Sequence, residues 1–227
     1  MKNKNFKTIH FKSKDGLLIT ADLYEADSPK GFILLCHRSH CNRGEYRETA
    51  PKLNKLGFSC LAIDQRSGMK IFGVTNETSA LAKKNGLATG YLDAKQDIEA
   101  AVDYSYEIND NKPIILVGSS YSASLALIIT RDTDKIKAVA AFSPGEYLKG
   151  IKVAEEIKSL NKPIYVTSAK KEIGEAKKLV RFVDTKYLTQ FRPQVEGFHG
   201  SKTLWSTVKG NESYWKSFEK FLLKTSG

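Results

Sequence analysis

An apolar run, Ile114-Ile115-Leu116-Val117, leads directly into Gly118-Ser119-Ser120-Tyr121-Ser122 and then into Ala123-Ser124-Leu125-Ala126-Leu127. A serine centred between two small residues, where a buried strand turns into a helix, has the pattern of a nucleophile elbow. The turn needs small side chains two positions either side because strand and helix approach closely there, and Gly118 and Ser122 meet that need. Ser120 is then lifted above the strand's carboxyl end, at a helix N-terminus whose free N–H groups favour a developing negative charge. Ser119 and Ser122 are rival hydroxyls, but neither is central in the pattern.

A serine hydroxyl needs a base to take its proton. The chain has 4 histidines: His10, His37, His40 and His199. His10 falls near the start, in the first of two alternating stretches. His37 and His40 follow the run Phe32-Ile33-Leu34-Leu35-Cys36. His199 lies in Glu196-Gly197-Phe198-His199-Gly200, a glycine-flanked loop suited to a group that accepts and returns a proton, and it is the preferred base. An imidazole in turn needs a carboxylate to fix its tautomer. In the chain order serine, acid, histidine, that acid should follow a strand between Ser120 and His199. Glu172, soon after Ile164-Tyr165-Val166, is placed first; Glu146, after Phe142-Ser143-Pro144, is the alternative; Asp184, which precedes a strand candidate, is third.

The elements around these residues alternate. Phe6–Lys12 and Leu17–Tyr24 alternate polar and apolar residues and are split by Asp15-Gly16, which predicts an antiparallel hairpin. Continuous apolar runs follow at Phe32–Cys36, Cys60–Ile63, Ile114–Val117, Ala138–Phe142 and Ile164–Val166, the mark of strands covered on both faces; Tyr187–Phe191 is a weaker candidate. Helical periodicity is read at 48–56, 91–108, 123–130, 149–160, 175–182 and 212–223, the last with Tyr214, Trp215, Phe218, Phe221 and Leu222 on one stripe. Strands alternating with helices predict an α/β protein: a mostly parallel central sheet, helices on both faces, and an antiparallel hairpin at the N-terminal edge. No internal repeat or linker divides the chain, so a single domain over 1–227 is expected. The stretch from Gln65 to Gly90 lacks clear periodicity, and long ordered loops often carry function.

With 36 Lys+Arg against 25 Asp+Glu the net charge is +11. The cations are scattered, and neither a basic helix with interleaved aromatics nor zinc-finger spacing accompanies them, so no nucleic-acid partner is expected. No apolar run approaches the ~20 residues that cross a bilayer, and Met1–Phe6 lacks the apolar stretch of a secretory signal. Three cysteines, Cys36, Cys41 and Cys60, without an export signal suit a reducing cytoplasm. Cys36-His37-Arg38-Ser39-His40-Cys41 holds four zinc-capable side chains, but zinc-site spacing is missing and adjacent strand residues face opposite ways, so no metal is expected.

Together, the hairpin, Leu34-Leu35-Cys36-His37, Ala62-Ile63-Asp64-Gln65-Arg66-Ser67-Gly68, the elbow at Ser120, Glu172 and His199-Gly200 resemble the α/β-hydrolase superfamily, in particular its small lid-less members similar to dienelactone hydrolases. The resemblance covers nearly the whole chain. It implies an α/β-hydrolase fold and an oxyanion hole of two backbone N–H groups: that of Tyr121, and one from the loop after the third strand, at Ser39 or alternatively Arg38. It also implies that Asp64 and Arg66 form a structural pair holding loops. The chain departs from the family in reading His37-Arg38 where His-Gly is usual, Ser122 where the elbow usually has glycine, and serine rather than cysteine at position 120, so lactone specificity does not transfer. An arginine at a strand end commonly points to solvent; contact of Arg38 with an anionic substrate is the other reading.

The expected function is hydrolysis of small carboxylic esters, thioesters or lactones by Ser120, His199 and Glu172 through an acyl-enzyme, without a cofactor. There is room for only one helix between Phe142 and Ile164, so no large cap is expected, which suits small or projecting acyl groups. The alternatives are a catalytically silent hydrolase-fold binding protein, and acyltransferase or peptidase work on the same three residues. The oligomeric state is not legible.

Overall fold

The computed structural model describes residues 6–226; the first five residues, read above for a secretory signal, lie outside them. The opening hairpin pairs β1 (Lys7–Lys12) with β2 (Leu18–Tyr24), and Ser13 N–H closes its turn on Leu17 O at 2.7 Å. Six further strands follow: β3 (Gly31–Cys36), β4 (Phe58–Ile63), β5 (Ile114–Ser119), β6 (Ile136–Phe142), β7 (Ile164–Thr167) and β8 (Leu188–Gln190). They form one sheet in the order β1-β2-β4-β3-β5-β6-β7-β8. β2 runs antiparallel to both of its neighbours, and every pairing from β4 to β8 is parallel.

The apolar runs are continuous because both faces are covered. Along β3, Phe32, Leu34 and Cys36 enter one core cluster while Ile33 and Leu35 enter the other. The first cluster is closed by α3 (Lys95–Ile108), α4 (Tyr121–Arg131), the short α5 (Val153–Glu156) and α6 (Ile173–Leu179). The second is closed by α1 (Thr49–Lys55) and α7 (Asn211–Lys224), whose Tyr214, Phe218, Phe221 and Leu222 form its buried stripe. α4, which follows the elbow, is buried from Tyr121 to Thr130, as expected of a helix apolar on all sides.

Two elements differ from the sequence expectation. The stretch 65–90 contains a helix, α2 (Glu77–Lys84), capped by the Asn76 side chain accepting from Ser79 N–H at 2.8 Å. It escapes the periodicity test because its buried positions, Thr78, Ser79 and Ala82, are small or polar. The helix read over 149–160 is reduced to α5 and a 3₁₀ turn at Ile157–Ser159, so the β6–β7 connection carries no cap domain. Asp64 and Arg66 do hold loops, but not through each other. Asp64 accepts from Arg43 Nη1 at 2.6 Å and from the N–H groups of Arg43 and Glu77. Arg66 is clamped by Asp97 at 2.7 Å and by both oxygens of Asp15, tying the opening turn to the β4 loop and α3.

Candidate active site

β5 ends at the sheet's middle, and Ser120 bridges it to α4 with φ 61° and ψ −124°. A non-glycine residue there is strained, and such strain persists only where surrounding packing imposes it. The packing here is severe: a Cβ on Gly118 would lie 2.5 Å from Ala123 Cα. Ser122, at the second small position, bridges strand ends through its hydroxyl, 2.9 Å from both Cys36 O and Ser119 N. A glycine could not tie β3 to β5 in this way. Ser119 and Ser122 are fully buried, whereas Ser120 keeps 8% exposure.

The structure brings three of the singled-out side chains together. His199 Nε2 lies 2.8 Å from Ser120 Oγ, and its Nδ1 lies 2.8 Å from Glu172 Oε1. Glu172 sits at the end of a 3₁₀ turn, Lys170–Glu172, directly after β7. Its other oxygen accepts from Ser143 Oγ at 2.7 Å. Burial pushes the Glu172 carboxyl up, but the bonds from His199 and Ser143 outweigh it and hold the group below the ordinary carboxylate value. Ser143 also accepts the Gly200 N–H at 2.9 Å, fixing the loop that carries His199. Gly200 has φ +76°, and a Cβ there would lie 2.4 Å from Ser119 Oγ, so the residue after His199 must be glycine.

The other candidates lie elsewhere. Glu146 accepts the N–H groups of Val153 and Ala154 and so starts α5, and Asp184 accepts from Lys186 N–H at the surface. His10 is exposed on β1, beside Glu77. His37 is fully buried; its Nδ1 donates to Arg38 O at 2.7 Å and its Nε2 accepts from Gln65 N–H at 3.0 Å, so neither nitrogen is free for a metal or a proton relay. Burial pushes its pKa down to about 4. Among the described residues no three His, Cys, Asp or Glu side chains gather as a metal site.

The N–H groups of Tyr121 and Ser39 have no acceptor among the described residues. The Arg38 N–H donates to Glu45 Oε2 at 2.9 Å, which removes it as an oxyanion donor. Tyr121 is pinned from the other side: its hydroxyl is bonded by Gln65 Nε2 at 2.8 Å and by Ser67, and its ring stacks on Tyr91 at 4.4 Å. The 65–91 stretch thus packs on the residue that follows Ser120. Arg38 does not point to solvent. Its side chain is 22% exposed, and its guanidinium lies 5.8 Å from the centre of the Phe198 ring. Lys202 covers the same ring at 4.2 Å and Trp205 at 5.1 Å. Phe72, at the tip of the Ile71–Val74 turn, packs edge-on against Trp205 at 4.9 Å.

Sequence reasoning passed over Ser143 and Glu45. Ser143 was within reach, since it directly follows β6, the strand beside the one that leads into Ser120; Glu45 lies in a short turn that carries no periodic signal.

A family model described as serine aminopeptidase, S33, matches residues 27–221. No curated protein matches the sequence significantly. Among solved structures, the Pyrococcus furiosus esterase Pf2001 superposes with a TM-score of 0.74 at 18% identity, covering 98% of this chain and 93% of that one. A dienelactone hydrolase from Anabaena variabilis gives 0.73 at 13% identity, covering 97% and 99%. A carboxyl esterase from Bacillus coagulans gives 0.70 at 12%, covering 98% and 99%. At these identities the likeness is one of fold.

Proposed function

Since the chain belongs to the serine aminopeptidase S33 family of α/β-hydrolases, we propose that it hydrolyses small ester-type substrates, whether carboxylic esters, thioesters or lactones, through Ser120, His199 and Glu172. The observation that carries this reading is the unbroken line of two 2.8 Å contacts from Ser120 Oγ through the His199 ring to Glu172. Ser120 attacks the carbonyl carbon while His199 Nε2 takes its proton, and Glu172 stabilises the imidazolium. The carbonyl oxygen, now negative, is held by the Tyr121 and Ser39 N–H groups; one such donor is typically worth ~3 kcal/mol of transition-state stabilisation. His199 returns the proton to the leaving oxygen or sulfur. It then takes one from water, which attacks the acyl-Ser120 ester, and returns it to Ser120 Oγ as the acid is released.

The family's description raises peptidase work as a second reading. The cations Arg38 and Lys202, set about Phe198 beside His199, argue against it, because an aminopeptidase must hold an α-ammonium group. The esterase and dienelactone hydrolase folds found among similar structures agree with an ester substrate. Without a cap, the site suits short acyl groups. Free, buried Cys36, Cys41 and Cys60 support a reducing, cytoplasmic setting. No described helix is long and apolar enough to cross a membrane.

A fluorophosphonate probe followed by peptide mapping tests the reading. Labelling confined to Ser120 and abolished in Ser120→Ala and His199→Ala is expected, with turnover of acetate and butyrate esters exceeding that of long-chain esters and of aminoacyl amides. Absence of labelling in the wild type would leave a silent binding protein.

A further inference from the structure

One carboxylate with no place in the chemistry above sits where the three catalytic segments meet. Glu45 lies in the 3₁₀ turn Arg43–Tyr46 and is fully buried. Its Oε1 accepts from Ser119 Oγ at 2.8 Å and from Ser201 Oγ at 2.5 Å; its Oε2 accepts the Arg38 N–H at 2.9 Å. Ser119 immediately precedes Ser120, Ser201 lies two residues after His199, and Arg38 immediately precedes Ser39. The same junction is closed by Ser201 N–H donating to Ser119 Oγ at 2.9 Å and by Trp205 Nε1 donating to the Glu45 carbonyl at 2.9 Å. The Arg38 Nε, buried and without a hydrogen bond, stands 3.9 Å from Oε2.

We infer that Glu45 is a positioning residue for the proposed hydrolysis, the anchor that sets the second oxyanion N–H and the His199 loop against Ser120. The inference rests on the triad reading above. Three donors converge on this group, and a carboxylate accepts from all three at once. An amide would have to turn its NH₂ either toward the Arg38 N–H, releasing the Ser39 loop, or toward the two hydroxyls, which would then accept from it while their own buried O–H groups lose this acceptor. The turn that carries Glu45 is itself held. Asn42 Nδ2 donates to the carbonyls of Met69, Ile71 and Val74, Arg43 is paired with Asp64, and the Tyr46 hydroxyl donates to Cys36 O. The carboxylate is therefore fixed relative to the sheet, and the three segments are referenced to it. Displacement of reacting groups by about 1 Å can cost on the order of 10²-fold in rate.

The test is Glu45→Gln, with turnover expressed per phosphonate-titrated active site so that loss of folded protein is not mistaken for loss of catalysis. A fall in kcat of roughly 10- to 100-fold with KM changed by less than about 3-fold is expected. Affinity for an arylboronic acid, which forms a tetrahedral adduct on Ser120, should fall by the same factor. Ser201→Ala removes one of the three arms without burying an unpaired charge and serves if Glu45→Gln does not fold; a several-fold loss in kcat is expected. Glu45→Asp, one methylene short of spanning both sides, should stay impaired despite its charge. Per-site kcat and boronate affinity within two-fold of wild type, in Glu45→Gln or, should that not fold, in Ser201→Ala, overturn the assignment while leaving the hydrolase reading intact. A wild type that neither labels nor hydrolyses esters removes the hydrolase reading, and the assignment with it.

Discussion

Ser143 donates to Glu172 at 2.7 Å from a strand end adjacent to the one that carries Ser120. The hydroxyl faces the carboxylate oxygen that His199 leaves free, so the acid is held from both sides. Ser143→Ala removes this bond and the acceptor of Gly200 N–H together. Hydrogen bonds to charged groups are worth about 1.5–3 kcal/mol. A loss of roughly ten-fold or more in kcat/KM is expected, measured on a small ester at saturating and subsaturating concentrations. Activity equal to wild type would show that Glu172 needs no second support.

The first two of the three carboxylates considered for the acid are separated by paired substitutions. Glu172→Gln keeps the shape but cannot stabilise the imidazolium, and a fall in kcat of about 10³–10⁴-fold is expected. Glu146→Gln should leave kcat unchanged and instead lower stability by about 1 kcal/mol, as for a weakened helix start, read from urea unfolding. The opposite pattern would transfer the role to Glu146.

Ser122 tests the elbow. Ser122→Gly restores the residue usual at this position but removes the hydroxyl that ties β3 to β5. A stability loss of about 1–2 kcal/mol with turnover kept within a few-fold is expected. Gly118→Val, by contrast, drives side-chain atoms into the α4 backbone and should yield no folded protein. A soluble, active Gly118→Val would mean that strand and helix stand further apart than the structure shows.

Acid sensitivity follows from His37. Its pKa falls from 6.5 to about 4 because burial disfavours the charged ring. Above pH 6.5 the ring is neutral whether the chain is folded or not. As pH drops from 6.5 toward 4 only the unfolded chain takes up the proton, so folding loses up to about 3 kcal/mol. The depressed pKa of Glu172 acts in the same direction, its contribution being lost as pH falls through the folded value. Urea midpoints should decline over this window, and less steeply in His37→Gln, whose amide can both donate and accept. An unchanged slope in that variant would assign the acid sensitivity elsewhere.

Local signals in the sequence set the strands, the hairpin and the elbow. The short apolar runs at 32–36, 114–117 and 138–142, too brief for buried helices, read as strands covered on both faces, and a serine between Gly118 and Ser122 at such a strand's end reads as a tight turn. Those features depend on neighbours along the chain. The helix at 77–84 carries no periodic signal because its buried side chains, Thr78, Ser79 and Ala82, are small or polar. The fate of Arg38, the separate partners of Asp64 and Arg66, the loss of Arg38 N–H to Glu45, and the choice of Glu172 beside His199 depend on residues 7 to 160 positions apart. A carboxylate's partner is set by which strand ends the sheet order makes adjacent. That order, with β4 inserted between β2 and β3, comes from packing two faces at once and is written in no single stretch of sequence.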